Sequence, residues 1–442
     1  MNDRPTRATV HVVLPDGVEV TAGTVTSEGA PGSASPSLVF RYADEYLAER
    51  RGYDLSPDLP RSLGPLRTWA GRPALGALGD AMPDDWGRRI IRAGTKAVTS
   101  FDYLVHVNDA TRQGALRLSD DRGYLGAHPH PVAKVHDLER IITAARAFEH
   151  GVESDDELRI LLDAGTSAGG ARPKAIVSRE GTLWIAKFAR ETEFNNPMAW
   201  EAAALDLARA AGIDTPPFEL VRIRDSNSIL LTRRFDRDGV RRIGYISAHS
   251  LVTKVDSDPS SYSHLSDTLA LSSSAPARDQ AALFRRIALN LLIGNVDDHL
   301  RNHGFLRVAE GWSISPVFDL EPNRQPDRVE ATPITDGGER MGRDIRELRD
   351  THDAFRLSRH AAESIIRDVA ERTTDWRGAA IARGISPEAA HAMRHAFENR
   401  NRDHALSMGE KEPGGSPASE NSGTPRRRRG DAGLGGNRGR FA

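Results

Sequence analysis

Asp297, Asn302 and Asp319 are the residues of this sequence whose types and spacing can do chemistry. The stretch "VDDHLRNHGF", residues 296–305, sets a carboxylate five positions ahead of an amide, and "VFDLEP" adds a second carboxylate downstream. A carboxylate can orient an incoming hydroxyl and accept its proton. An amide oxygen and another carboxylate can hold magnesium against a triphosphate, because hard cations take oxygen ligands. Together these are the parts needed for phosphoryl transfer. Arg301 is placed to neutralise charge on the transferred group, and His299 to support the loop by hydrogen bonding. Asp298 lies outside the spacing, so its replacement should matter much less than that of Asp297.

The elements that must position these groups lie on both sides of the loop. "ALFRRIALNLLIGN" reads as an apolar helix ending near Gly294, and "GFLRVAEGWSISPVFDLEP" as a hairpin around "AEG" that delivers Asp319. Upstream, "DAGTSAGGARPKAIVSREGTLWIAKFA" reads as a Gly-rich turn, a strand, a tight turn and a second strand carrying Lys187. Small residues let backbone amides approach phosphates, and a strand lysine gives them a fixed positive charge. Glu201, in the helical "NNPMAWEAAALDLARAAGI", is the natural ion-pair partner of that lysine. "ILLTRRFDRDG" is an apolar strand entering a bend, where Phe235 and the adjoining backbone can receive adenine. Taken singly each signal has a plain structural explanation: paired glycines mark turns, and polar residues cap helix ends. Their order, from Gly-rich loop through strand Lys, helix Glu and hinge strand to catalytic loop and metal Asp, is that of protein kinases.

Composition narrows the alternatives. The 442 residues are 38% hydrophobic and 28% charged, enough apolar material for a sizeable core in two or three lobes. With no cysteine, disulfides, thiolate zinc sites, iron–sulfur clusters and thiol nucleophiles are excluded, and catalysis must use oxygen, imidazole or amine groups. A net charge of -2 gives no global reason to expect nucleic acid. No apolar run suggests a membrane span and the opening "MNDRPTRATVHVVLPDG" carries no signal segment, so the expected location is the cytoplasm, without membrane contact.

Along the chain four stretches precede a tail. Residues 1 to about 60 alternate as hairpin strands, 61 to about 150 are mainly helical, about 158 to 250 are dominated by strands around one helix, and a long helical half runs to about 406. From Gly409 the sequence is rich in Gly, Pro, Ser and Arg and nearly free of large apolar groups, so it should be a disordered basic tail, with Arg426 to Arg429 able to grip phosphates. Deleting residues 410–442 is expected to leave the melting temperature and activity unchanged. A fall of several degrees on thermal melting would show that the tail packs on the body, and a salt-dependent loss of partner or DNA affinity alone would make the arginine run functional.

"SAGGARPKA", "WIAKF", "RRFDR", "GNVDDHLRNHGF" and "PVFDL" together resemble the HipA family of serine/threonine kinases, the toxin halves of bacterial type II toxin-antitoxin systems. The likeness extends to "LVFRYADEYLAER", "DLSPDLP", "PDDWGRRII" and "GALRL", and so covers about residues 10 to 400. It implies an α+β, two-lobed protein-kinase-like fold with a small β-rich amino-terminal subdomain and a mostly helical carboxy-terminal lobe. The expected divisions are 1–150 for the amino-terminal subdomain and its helical connection, 151–250 for the nucleotide-binding lobe, 251–408 for the catalytic lobe and 409–442 for the tail. It further implies ATP and Mg2+, a protein substrate, which in this family can be an aminoacyl-tRNA synthetase, and a helix-turn-helix antitoxin partner that brings DNA contact.

Carried over residue by residue, Asp297 matches the catalytic Asp, and His299, Leu300, Arg301 and Asn302 match the loop at nucleotide and metal. Phe318 and Asp319 match the metal-binding turn and Lys187 the ATP lysine. Arg233, Arg234 and Phe235 match the hinge, and Gly169, Gly170, Ala171, Arg172, Pro173 and Lys174 the phosphate loop. Ser167 matches a serine that some members autophosphorylate, with Thr166 a competing acceptor. Arg301 stands where lysine is more usual, which keeps the charge and changes the geometry. Two other classes fit parts of the sequence. One is a metal hydrolase built on Asp297, His299 and His303; the other is a catalytically silent kinase-fold protein acting by binding. The intact Lys187, Asp297, Asn302 and Asp319 speak against silence.

Overall fold

A computed structural model describes residues 6–29, 36–69, 74–95, 97–127, 130–167, 170, 172–193, 195–222, 228–252, 260–323, 332–338 and 343–408. The sequence from Gly409 onward, Gly169 and Ala171 therefore lie outside the described residues, and with them the expected disordered tail.

Period-2 patterning builds the amino-terminal sheet. Strands β1 (Arg7–Val13), β2 (Glu19–Glu28), β3 (Ser37–Tyr42), β4 (Leu66–Arg67), β5 (Leu116–Asp120) and β6 (Gly123–Tyr124) form one antiparallel sheet in the order β4-β3-β2-β1-β5-β6. Ala8, Val10 and Val12 of β1 are buried while Thr9 and His11 face outward, which fixes the register. The stretch from 61 to 150, expected to be mainly helical, also gives this sheet three of its strands. The long-range pairing of β1 with β5 does this, and no local pattern announces it. Its helices Asp85–Thr95 and Leu138–His150 are present as read.

The second sheet holds β7 (Lys174–Arg179), β8 (Thr182–Phe188), β9 (Phe218–Val221) and β10 (Ile229–Arg233), in the order β7-β8-β10-β9. Its register sets Lys174 directly opposite Lys187. Helix Pro197–Ala210 starts where Asn196 accepts a hydrogen bond from Ala199 N–H, and its inner face from Met198 to Leu205 is buried. Beyond the short hairpin of β11 (Arg237–Asp238) and β12 (Arg241–Arg242), strand β13 (Tyr245–Ser247) joins β14 (Gly304–Val308) and β15 (Gly311–Ile314) in a three-stranded sheet.

Helix Pro276–Leu292 runs through the largest core, burying Phe284, Ile287, Leu289 and Leu292. It stops at Gly294, where φ is +62° and a β-carbon would lie 2.9 Å from the carbonyl oxygen of Ala396. Only glycine combines that conformation with so close a backbone. The catalytic-loop sequence begins there. The stretch "HDAFRLSRHAAESIIRDVAERT" divides into a turn of 3-10 helix, His352–Phe355, and a helix, Arg359–Arg372, because the Ser358 hydroxyl caps the latter by accepting from Ala361 N–H. Among the described residues no helix is long and apolar enough to cross a membrane.

Candidate active site

Three elements converge on a cavity of about 670 Å³: the second sheet, the catalytic loop and, unexpectedly, the segment Gly79–Asp85 of the amino-terminal region. Of the residues singled out in sequence, Gly170, Arg172, Lys174, Lys187, Glu201, Arg233, Phe235, Asp297, His299, Arg301, Asn302, Phe318 and Asp319 all line it.

Lys187 is the centre of its electrostatics. Its Nζ lies 2.6 Å from Glu201 Oε1 and also donates to Asp319 Oδ1. Burial alone would lower the lysine's pKa, but the two carboxylates outweigh it and hold the ammonium above its usual range. Burial likewise acts to raise both acids. It prevails at Glu201, whose pKa is raised, while Lys187 and then Lys174 pull Asp319 well below the usual carboxylate range. The two acids share one ammonium, and Asp319 also faces Lys174. Asp319 sits at φ +54°, in the left-handed region that a non-glycine residue occupies at a cost, so its position is set by the surrounding structure rather than by its own preference.

Lys174 is buried, and burial lowers its pKa. It makes no ion pair among the described residues, and like charges facing each other across two strands are destabilising. Gly170, at φ +96°, leaves the space its Nζ occupies; a β-carbon there would collide with it. The cavity therefore offers a desolvated cation with a backbone turn beside it, an arrangement suited to an anionic phosphate chain. Asn302 and Asp319 supply the oxygen donors a magnesium ion would need beside such a chain, so the residues present fit both groups. The apolar side chains Ile185, Met198, Phe235 and Phe318 line the same cavity, with the two phenyl rings 5.7 Å apart, and make a surface for a flat base.

The catalytic loop holds its shape through the backbone. Asn302 Nδ2 donates to the carbonyl of Asp297 at 2.8 Å, which turns the intervening residues into one 3-10 turn, Leu300–Asn302. The Asp297 carboxylate is half exposed in the cavity, with His299 Nε2 3.7 Å from Oδ1. The adjacent Asp298 points the opposite way, into the protein. It is fully buried against Arg343 at 2.7 Å and His303 at 2.9 Å.

The structure places several of the expected residues away from the cavity. Arg234 does not reach the cavity; it is buried in a bidentate ion pair with Asp236 and donates to the carbonyl of Thr111, tying the hinge to the amino-terminal region. Leu300 packs on the core and Pro173 is buried away from the cavity wall. His303 is engaged by Asp298 and by the Tyr262 hydroxyl, so the hydrolase set Asp297, His299 and His303 is not brought together. No group of three metal-binding acids or histidines occurs among the described residues. Ser167 is buried, its hydroxyl donating to Thr111 Oγ1 at 2.6 Å.

Sequence reasoning missed other cavity residues, among them Glu193, Glu321, Asp80, Asp84 and Ser247. Arg172 makes a bidentate pair with Glu321, at 2.5 and 2.7 Å, and reaches Glu193 at 2.9 Å, joining the phosphate loop to the turn after Asp319. Asp84 accepts a hydrogen bond from Gly170 N–H at 2.5 Å, and Trp86 Nε1 donates to the carbonyl of Lys174, so the amino-terminal region holds Gly170 and Lys174 in place. Asp80 and Ser247 lie across from Arg301. Nothing in local spacing marks Asp80, which becomes a site residue because helix Gly76–Asp80 packs against helix Ala248–Leu251.

Residues 166–377 match the HipA-like C-terminal domain. Over 309 residues, 64% of this chain and 71% of the relative, the sequence is 26% identical to a Sinorhizobium fredii protein named "Putative kinase Y4mE". The fold is similar to a chain of the Shewanella oneidensis MR-1 toxin antitoxin complex of HipA, HipB and its operator DNA. There the TM-score is 0.63 over 91% of this chain and 96% of that chain, at 16% identity. Residues 166–377 thus carry a HipA-like C-terminal domain, set in a chain whose fold is similar to that of HipA.

Proposed function

We propose that the chain is an ATP- and magnesium-dependent serine/threonine protein kinase. The observation that carries this reading is the placement of Lys187, paired with Glu201 and Asp319, in one cavity with Asp297 and Asn302. Lys187 and Lys174 bind the phosphate chain, Gly170 brings its backbone close, and Phe235 and Phe318 receive the base. Asp297 orients the substrate hydroxyl and takes its proton. Arg301 meets the charge that develops on the transferring group. Magnesium, held by Asn302 and Asp319, would shield the phosphate oxygens. The chemistry needs only positioning and charge, both of which these side chains supply.

The proposed substrate is a cytoplasmic protein, an aminoacyl-tRNA synthetase being the candidate, with arrest of translation and growth as the consequence. A helix-turn-helix antitoxin is proposed as partner, bringing DNA contact through the complex, by analogy with the Shewanella oneidensis assembly of HipA, HipB and operator DNA. The test is transfer of labelled phosphate from ATP into proteins of the host lysate, with the labelled protein identified and the labelled residue mapped. A wild-type chain that labels nothing and binds no ATP overturns this reading.

Ser167 is proposed as an autophosphorylation site that shuts the enzyme off. Its hydroxyl is buried against Thr111, so the segment must move outward to be modified. A phosphate carrying nearly two charges cannot return to that position without high cost. Phosphorylation is thus expected to pull the loop from its place beside Lys174 and to weaken ATP binding. Ser167→Asp should bind ATP less well and Ser167→Ala should still bind it. Mass spectrometry after incubation with ATP and magnesium locates the phosphate; finding it on Thr166, or finding full ATP affinity in the phosphorylated chain, removes the basis for the switch.

A further inference from the structure

The cavity wall facing the catalytic loop contains a buried acid that phosphoryl transfer, as described, does not use. Asp80 ends helix Gly76–Asp80, and its side chain is only 5% exposed. Its Oδ2 accepts from the backbone N–H of Ser247 at 2.7 Å and its Oδ1 from the Ser247 hydroxyl at 2.8 Å. Ser247 is paired with Gly304 across β13 and β14, and the next residue, Ala248, donates to the carbonyl of His303. Asp80 is therefore fastened to the strand pair from which the catalytic loop emerges.

The remaining face of Asp80 looks toward Arg301, whose Nη1 is 4.0 Å from Oδ1. Arg301 has no other carboxylate within that distance among the described residues, and its side chain is half exposed in the cavity. Burying a carboxylate is costly, and burial pushes the Asp80 pKa up to about 6. The two hydrogen bonds from Ser247 do not need a charge: an asparagine could accept the N–H through its oxygen and donate to the hydroxyl, which rotates to accept. The negative charge acts on Arg301, which it attracts across a partly desolvated gap.

We propose that Asp80, contributed from outside the 166–377 domain, is a positioning residue that holds the Arg301 guanidinium in register with Asp297 and Asn302. The inference rests on the kinase reading of the cavity. It assigns the amino-terminal region a part in turnover: helix Gly76–Asp80 carries one end of an electrostatic contact whose other end is in the catalytic loop. A long, freely rotating arginine so held keeps one orientation toward the transferring group instead of several.

The test uses the full chain as wild type, Asp80→Asn, Arg301→Ala and the double variant. Asp80→Asn is expected to lower kcat by about 10- to 100-fold, with the KM for ATP changed by less than about twofold and the melting temperature close to wild type. The double variant should be no slower than Arg301→Ala, because one contact cannot be lost twice. Wild-type turnover in Asp80→Asn, or losses that multiply in the double variant, would overturn the proposal, as would a rise in KM for ATP with kcat unchanged.

A second measurement reads the contact without activity. In Arg301→Ala with carbon-13-labelled aspartate, the Asp80 carboxyl should titrate at higher pH than in the wild type, since a cation that favours its charged form is gone; an unchanged titration also overturns the proposal. A wild-type chain without phosphate transfer would sink the kinase reading, and the titration would still decide whether Arg301 is held.

Discussion

Asp297→Asn is expected to reduce phosphate transfer by about 100-fold to 10,000-fold, the usual loss for a positioned acid-base group, while leaving ATP binding and folding largely intact. The separation follows from where the carboxylate is. Asp297 is half exposed in the cavity, and the loop around it is shaped by its backbone carbonyl, which accepts from Asn302 Nδ2. Asparagine keeps that carbonyl and nearly the same side-chain volume. It cannot take the hydroxyl proton. The groups assigned to the nucleotide, Lys174, Lys187, Glu201 and Phe235, are untouched by the change. Single-turnover labelling with ATP, beside calorimetric titration of ATP and thermal melting, checks each part. Equal losses of turnover per folded molecule in Asp297→Asn and Asp298→Asn would mean that the wrong aspartate has been assigned.

Asp298→Asn should act through stability instead, with an expected cost of about 3–5 kcal/mol. Sequence spacing made Asp298 a bystander, and as a catalytic group it remains one. The structure corrects the inference that its replacement is mild. Its carboxylate is sealed between Arg343, at 2.7 Å, and His303, at 2.9 Å, while its carbonyl accepts from Thr332. Arg343 also donates to the carbonyl of Asn295, so the pair fixes both ends of the turn that presents Asp297. Neutralising the acid leaves a buried guanidinium without its counter-charge.

Burial would raise the Asp298 pKa, but Arg343 and His303 prevail and hold it far below the usual carboxylate range. A depressed folded pKa contributes stability that is present in full above the unfolded value of about 3.9 and is lost as pH falls through the lower folded value. Denaturant melts at neutral pH should therefore show the loss in Asp298→Asn, and the gap from wild type should narrow below that value. An undiminished midpoint at neutral pH would mean that the ion pair contributes nothing net.

The order of elements from the strand of Lys187 to the turn of Asp319 was legible in the chain because each depends on local rules. Strand alternation, a helix ended by glycine and a hairpin around "AEG" are written over ten to twenty consecutive residues, and they carry Lys187, Glu201, Asp297, Asn302 and Asp319 with them. The directions of side chains within those elements were not legible. Asp297 and Asp298 are neighbours of the same type, yet one faces the cavity and the other faces Arg343, 45 residues away. Arg234 is in the hinge yet serves as a buried tie, because the carbonyl of Thr111 and the carboxylate of Asp236 offer it partners that water would otherwise supply.

The contribution of the amino-terminal region was decided wholly by tertiary packing. Asp80, Asp84 and Trp86 enter the site because helix Gly76–Asp80 meets helix Ala248–Leu251 and because helix Asp85–Thr95 packs on helix Asp155–Gly165. Periodicity shows which face of a helix is apolar but not which other face it meets. That choice is made by mutual burial between segments far apart in the chain, as where Trp86 meets Lys174. The sequence by itself therefore determined which reactive groups the chain carries and in what order, and packing determined which charges stand around them.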